Sequence, residues 1–187
     1  MSILKIARMG HPILLQPASA LNVANVAGDA AAQAFIDDMI ETLADAGGVG
    51  LAAPQVYQGL RVILAMAPTG RCDEEDAPSP LTILINPELE FLGEDRELGW
   101  EGCLSIPGLR GVVPRATRLR YRGYGRDGRP VEAEAEGFFA RVLQHEVDHL
   151  DGLLYPMRMR DFRYFGFDEE LNRLEREAQR ASEESGS

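Results

Sequence analysis

Phe138-Phe139-Ala140-Arg141-Val142-Leu143-Gln144-His145-Glu146-Val147-Asp148-His149-Leu150 reads as one helix, with Phe138, Phe139, Ala140, Val142, Leu143, Val147 and Leu150 spread around most of its circumference. A helix that is apolar all round is buried. Inside it stands the HExxH run His145-Glu146-Val147-Asp148-His149. Residues four apart share a helix face, so His145 and His149 can turn their ring nitrogens to a single divalent ion. Glu146, one position on, reaches a water at that ion, as general base and then as proton donor to a leaving group. A pattern this short also arises by chance in unrelated helices, and burial is what gives it weight. An unpaired buried carboxylate costs on the order of several kcal/mol, and one ion would satisfy all three groups. The chain has only three histidines, and two fall at this spacing.

Upstream, Leu119 to Tyr124 alternates apolar and polar, Asp127-Gly128 signals a turn, and Val131 to Glu136 alternates again. This predicts a hairpin with one wet face that runs directly into the helix. Gly152 closes the helix. Further back, Asp29 caps a predicted amphipathic helix ending near Ala46, with Phe35, Ile36, Met39, Ile40 and Leu43 on its apolar face and Gly47-Gly48 as its stop. Leu60 to Met66 and Leu81 to Ile85 read as buried strands, the second ending before Asn86-Pro87, with Ala67 to Pro80 as a loop between them. Beyond Pro156 the chain turns polar, and Phe167 to Gln179 reads as an exposed helix with a disordered Ser-Glu-rich end. Strands early, a buried helix late and antiparallel turns give an α+β class: mostly antiparallel sheets around a buried HExxH-bearing helix. Residues 1–165 are expected to form the catalytic domain and 166–187 a C-terminal helix and tail.

At 187 residues and 45% hydrophobic content the chain supports one domain with a substantial core. A formal charge of −11 speaks against a nucleic-acid surface, and the basic stretch Arg115 to Arg129 is expected to be a solvated sheet face. No apolar run of about 18 residues occurs, and Met1-Ser2-Ile3-Leu4-Lys5 does not open like a secretion leader. The expectation is a soluble, cytoplasmic protein with no membrane partner. Cys72 lies in an acidic loop and Cys103 in the compact Glu101-Gly102-Cys103-Leu104-Ser105. Such settings argue against a disulfide and leave Cys103 as a candidate metal ligand.

Three separated segments now stand out: Gly48-Val49-Gly50-Leu51-Ala52-Ala53-Pro54-Gln55, Glu101 to Ser105, and Gln144 to Gly152. In order and spacing they resemble peptide deformylase. Met9-Gly10-His11-Pro12-Ile13-Leu14 and Ile106-Pro107-Gly108-Leu109-Arg110 are similar to that family as well, so the match runs from near the start to about Tyr155. The resemblance implies Cys103, His145 and His149 as metal ligands with water in the fourth position. It implies one divalent ion per chain, ferrous iron before zinc, nickel or cobalt. It further implies Glu146 as the acid–base group, and Gln55 and the Leu104 backbone N–H as donors to the oxyanion. The substrates implied are N-formyl-methionyl peptides and nascent chains, which lose formate.

Substrate contacts are expected from Gly48, Val49, Gly50 and Leu51, whose backbone in this family pairs with the peptide, and from Glu101, Gly102, Arg110, Phe138 and Arg141. Gly99-Trp100 before Glu101, and Phe138 and Arg141 on the helix, depart from the family's best-known bacterial pattern, and Arg141 is expected either to shape the methionine pocket or to pair with Glu101. The tail departs too: Asp168 to Ser187 holds seven acidic residues against three arginines, unlike the basic helix associated with ribosome docking. Ribosome proximity is therefore expected to be transient. Two competing readings are an HExxH peptidase cleaving internal amides, and a catalytically silent module of the same fold that binds peptide amino ends.

Overall fold

The computed structural model describes residues 2–69 and 78–185. Cys72 and the acidic stretch Asp73 to Asp76 lie outside the described residues.

The predicted first helix is present as α1, Ala30–Ala46, with the Asp29 carboxylate accepting from Ala31 and Ala32 N–H and Gly47 ending it. It is followed by β1 (Gly50–Ala52), a single 3-10 turn at Ala53–Val56, β2 (Val62–Ala67) and β3 (Ser79–Phe91). Then come β4 (Arg96–Cys103), β5 (Ile106–Ala116), and the hairpin of β6 (Arg118–Tyr124) and β7 (Pro130–Glu136). The HExxH helix is α2, Gly137–Leu150, entered directly from β7. A short β8 (Phe165–Phe167) and α3 (Asp168–Ser185) complete the chain. Two sheets result, ordered β1-β2-β3-β6-β7 and β4-β5-β8, and every strand pair is antiparallel. This is the expected α+β architecture.

β2 is buried on both faces, which is why it reads as an unbroken apolar run. Val62 and Leu64 pack toward α1 with Ile36, Met39 and Leu43, whereas Ile63 and Ala65 pack toward α2 with Phe139, Ala140, Leu143 and Val147. The larger sheet thus lies between the two helices, and α2 is wedged between it and the smaller sheet. No helix among the described residues is long and apolar enough to cross a membrane.

Three expectations are corrected. β3 does not stop before Asn86-Pro87 but bulges there, its register against β6 shifting between Ile85 and Glu88. Asn86 takes φ 52°, which an asparagine tolerates, and its amide replaces ladder bonds by pairing with both N–H and C=O of Leu21. Second, Arg115 is not on the wet face with Arg118, Arg120 and Arg122. It belongs to β5, one strand earlier, and is only 5% exposed. Third, the last helix continues past Gln179 to Ser185. Its composition favours this, with Arg173 pairing to Glu170 and Glu177 one turn away on either side.

Candidate active site

α2 places His145 and His149 on one face, with their rings edge to face at 5.1 Å. Cys103 meets them from the end of β4, its Sγ 3.2 Å from His149 Nε2. The ligand atoms of Cys103, His145 and His149 all lie within 4.8 Å of one another, and Cys103 is a free thiol. His145 Nδ1 is engaged by Glu101 Oε2 at 2.8 Å. A carboxylate can only accept, so Nδ1 carries the hydrogen and Nε2 is the ring nitrogen that an ion would take.

Glu101 is itself clamped. Arg115 donates to both of its oxygens at 2.8 and 2.9 Å and to Asp148 at 2.6 Å, and Arg141 donates to Glu101 Oε1 at 3.0 Å. Arg158 closes the network on Asp148 at 2.7 Å. Burial alone would raise the Glu101 carboxyl, but hydrogen bonds from Arg115 and His145 hold it well below the usual carboxylate range. His145 is pulled down by burial and raised further than that by Cys103 and Glu101, ending above its ordinary value. His149 goes the other way, lowered by burial and by the charges of His145 and Arg115. Together these groups form a preorganised network of paired charges beside the thiol.

Glu146 is buried beside the three donors, and burial pushes its carboxyl up to about 7, the His145 charge opposing and Glu101 reinforcing. Its Oε2 finds no hydrogen-bond partner. A buried, unpartnered carboxylate oxygen next to a thiol and two imidazoles is an environment typical of functional sites. The donor set fits an ion too, since a thiolate with two neutral imidazoles suits zinc, iron, nickel and cobalt and leaves a fourth position free. Gln55 is fixed from the other side: its Oε1 accepts from Ala52 N–H at 2.8 Å, which turns Nε2 toward Ser105 Oγ at 3.2 Å and Cys103 Sγ at 3.5 Å.

The cleft in front of these groups encloses about 550 Å³. It runs between two sheet edges, β1 of the larger sheet and β4 of the smaller. Of the residues expected from sequence, Gly48, Val49, Gly50, Gln55, Glu101, Gly102, Cys103, Leu104, Phe138, Arg141, His145 and Glu146 line it. Leu51, the middle residue of β1, is fully buried, His149 lies against Cys103, and Arg110 stacks on Trp100 with its guanidinium 4.9 Å from that ring. Arg141 pairs with Glu101, as one of the two expectations had it, and it also lines the cleft. It fits because position 99 is glycine: a Cβ there would come within 2.6 Å of the guanidinium. Gly50 is required in the same way, since a Cβ would collide with the Glu146 carboxylate. Arg115, Asp148, Ser105 and Asp168 were not singled out from sequence, whereas Trp100 was noted only as part of the Gly99-Trp100 departure before Glu101. Arg115 had a signal, sharing strand parity with the buried Val113.

A thiol and two imidazoles converging beside a buried carboxylate, at the floor of a cleft between strand edges, define a mononuclear metallohydrolase with room for an extended peptide. Residues 3–164 match the family model described as Polypeptide deformylase. The chain is 51% identical over 168 residues to peptide deformylase 1 of Bordetella pertussis, covering 89% of this chain and 93% of that protein. It is 56% identical over 140 residues to peptide deformylase 2 of Ralstonia nicotianae, covering 74% and 78%. The fold superposes on the Met-Ala-Ser-bound class I type b peptide deformylase of Acinetobacter baumannii with a TM-score of 0.78 at 37% identity, over 85% of this chain and 100% of that one. The chain belongs to the peptide deformylase family. It is a metal-dependent hydrolase that removes the N-formyl group from peptides, with its metal site at Cys103, His145 and His149.

Proposed function

We propose that the substrates are N-formyl-methionyl peptides and nascent chains, with Glu146 as the acid–base group and Gln55 and the Leu104 N–H as oxyanion donors. The observation that supports this best is the buried, unpartnered Glu146 Oε2 beside the three converging ligands. Cys103, His145 and His149 hold the ion, taken to be ferrous iron, though the same donors accept zinc, nickel or cobalt. When bound, the ion supplies Lewis acidity, polarising the formyl oxygen and making water nucleophilic at neutral pH.

The chain's own groups do the rest. Glu146 takes the proton of the attacking water and delivers it to the departing nitrogen. Gln55 Nε2, held in place by Ala52, and the Leu104 N–H donate to the developing oxyanion, each such donor worth on the order of 3 kcal/mol of barrier. Gly48 to Leu51 and Glu101 to Gly102 present two free strand edges, and an extended peptide adds as a strand between them. Phe138 and Arg141 bound the methionine side pocket, and Arg110 supports its rim through Trp100.

The catalytic unit is taken as residues 1–165, with 166–187 as an appended helix. That helix is acidic, so ribosome proximity is transient rather than anchored by the tail, and the site of action is the cytoplasm, where formylated chains begin. Offering formyl-Met-Ala-Ser beside unformylated Met-Ala-Ser tests the reading. Formate release with the internal amides intact supports it; cleavage of the unformylated peptide would assign an HExxH peptidase instead, and formylated peptide bound without release would assign a silent module.

A further inference from the structure

We propose that Asp168, supplied by the C-terminal helix, sets the charge preference of the cleft for substrate residues following the methionine, favouring basic over acidic side chains. This rests on the deformylase reading above.

Asp168 opens α3 and borders the same cleft as His145 and Glu146. It lies beyond the residues matched by the family model, which end at 164. The tail reaches the site because β8 pairs with β5 at Leu109 and Phe167, with Leu171 of α3 lying close over Gly166. Most charge around the cleft is already balanced. Glu101 is met by Arg115, Arg141 and His145. Asp168 is not balanced in this way. Its side chain is 46% exposed, and its nearest cation, Arg110 Nε, is 3.8 Å away, too far for a hydrogen bond.

Arg110 is also shared. It donates to Glu175 at 2.8 Å and lies over the Trp100 ring at 4.9 Å. Two carboxylates therefore face one guanidinium, leaving the rim one negative charge in excess. Trp100 borders the cleft and is 41% exposed. A lysine or arginine of the substrate passing this rim is attracted by the excess carboxylate. An acidic residue meets repulsion. At the separations of a cleft rim, one exposed charge changes relative rates by about threefold to tenfold at low salt and less at physiological salt.

The test is kcat/KM for formyl-Met-Ala-Lys against formyl-Met-Ala-Glu, and formyl-Met-Lys-Ser against formyl-Met-Glu-Ser, with formyl-Met-Ala-Ser as the neutral reference. The parent is expected to prefer the lysine peptides by at least about threefold at one of the two positions. Asp168→Asn should abolish most of that preference and Asp168→Lys reverse it, each rate being taken relative to the same variant's formyl-Met-Ala-Ser rate. Glu134→Gln, the same charge change on the distant hairpin, should leave the preference intact. An unchanged preference in Asp168→Asn, or an equal loss in Glu134→Gln, would overturn the assignment while intact formyl-Met-Ala-Ser turnover leaves the deformylase reading standing. Absence of formyl-Met-Ala-Ser turnover in the parent would instead remove the reading on which the assignment rests.

Discussion

His145 Nδ1 and Glu101 Oε2 lie 2.8 Å apart, and Glu101 stands two residues before Cys103 on the same strand. The register against β5 shifts between Gly102 and Cys103, and the end of β4 brings both the thiol and the carboxylate that orients the imidazole to the histidine face of α2. The ligand set is assembled by one strand and one helix. Glu101→Gln is expected to weaken metal retention by about 10- to 100-fold, read by chelator competition. Retention equal to the parent's would show that His145 needs no such orienting partner.

Arg115 holds Glu101 and Asp148 together in the interior. Arg115→Met leaves two buried carboxylates short of their cation and should cost about 3–5 kcal/mol in urea unfolding. Arg118→Met, on the wet hairpin face, should change stability by less than about 0.5 kcal/mol. Similar values for the two would mean that the buried network carries no special weight.

Burial pushes Glu146 from its ordinary 4.5 up to about 7 in the metal-free protein. A carboxyl with a raised folded value holds its proton more tightly when folded. Its contribution to stability is complete below pH 4.5, declines as pH rises, and is gone above about 7. At ~1.4 kcal/mol per unit of pH, the loss across that window is about 3 kcal/mol. Metal-free Glu146→Gln should therefore be more stable than the parent by that amount at pH 8 and match it at pH 4. Equal stability at pH 8 would contradict a desolvated Glu146.

A Cβ at Gly50 would press on the Glu146 carboxylate. Gly50→Ala is expected to lower kcat by about 100-fold through displacement of that group, with metal content unchanged on the same preparation. A loss confined to KM would place the effect on peptide pairing instead.

Much of the site was legible because its signals are local. The HExxH spacing, the apolar circumference of α2, the Asp29 cap and the alternating hairpin are each decided within a few residues of chain. Arg115 was misplaced because a charge run was read as one unit across Thr117, where β5 ends and β6 begins. The alternation that makes Arg118, Arg120 and Arg122 wet does not extend across that break. Asn86-Pro87 looked like a strand end because its replacement bonds come from Leu21, a partner invisible in the local pattern. Asp168 was read as part of a solvated tail, since only the pairing of β8 with β5 brings it to the cleft. Residues whose role depends on contacts remote in sequence stayed hidden, whereas those defined by helix or strand period did not.

The central claim is that Glu146 performs the proton transfers at the Cys103, His145 and His149 site. It is tested most directly by formate release from formyl-Met-Ala-Ser, using protein purified without oxygen, beside its Glu146→Ala variant, with metal measured on the same samples. The parent should release formate, and the variant should hold about one metal per chain while losing about 100-fold or more of the activity. A Glu146→Ala protein that releases formate at the parent's rate would contradict the account.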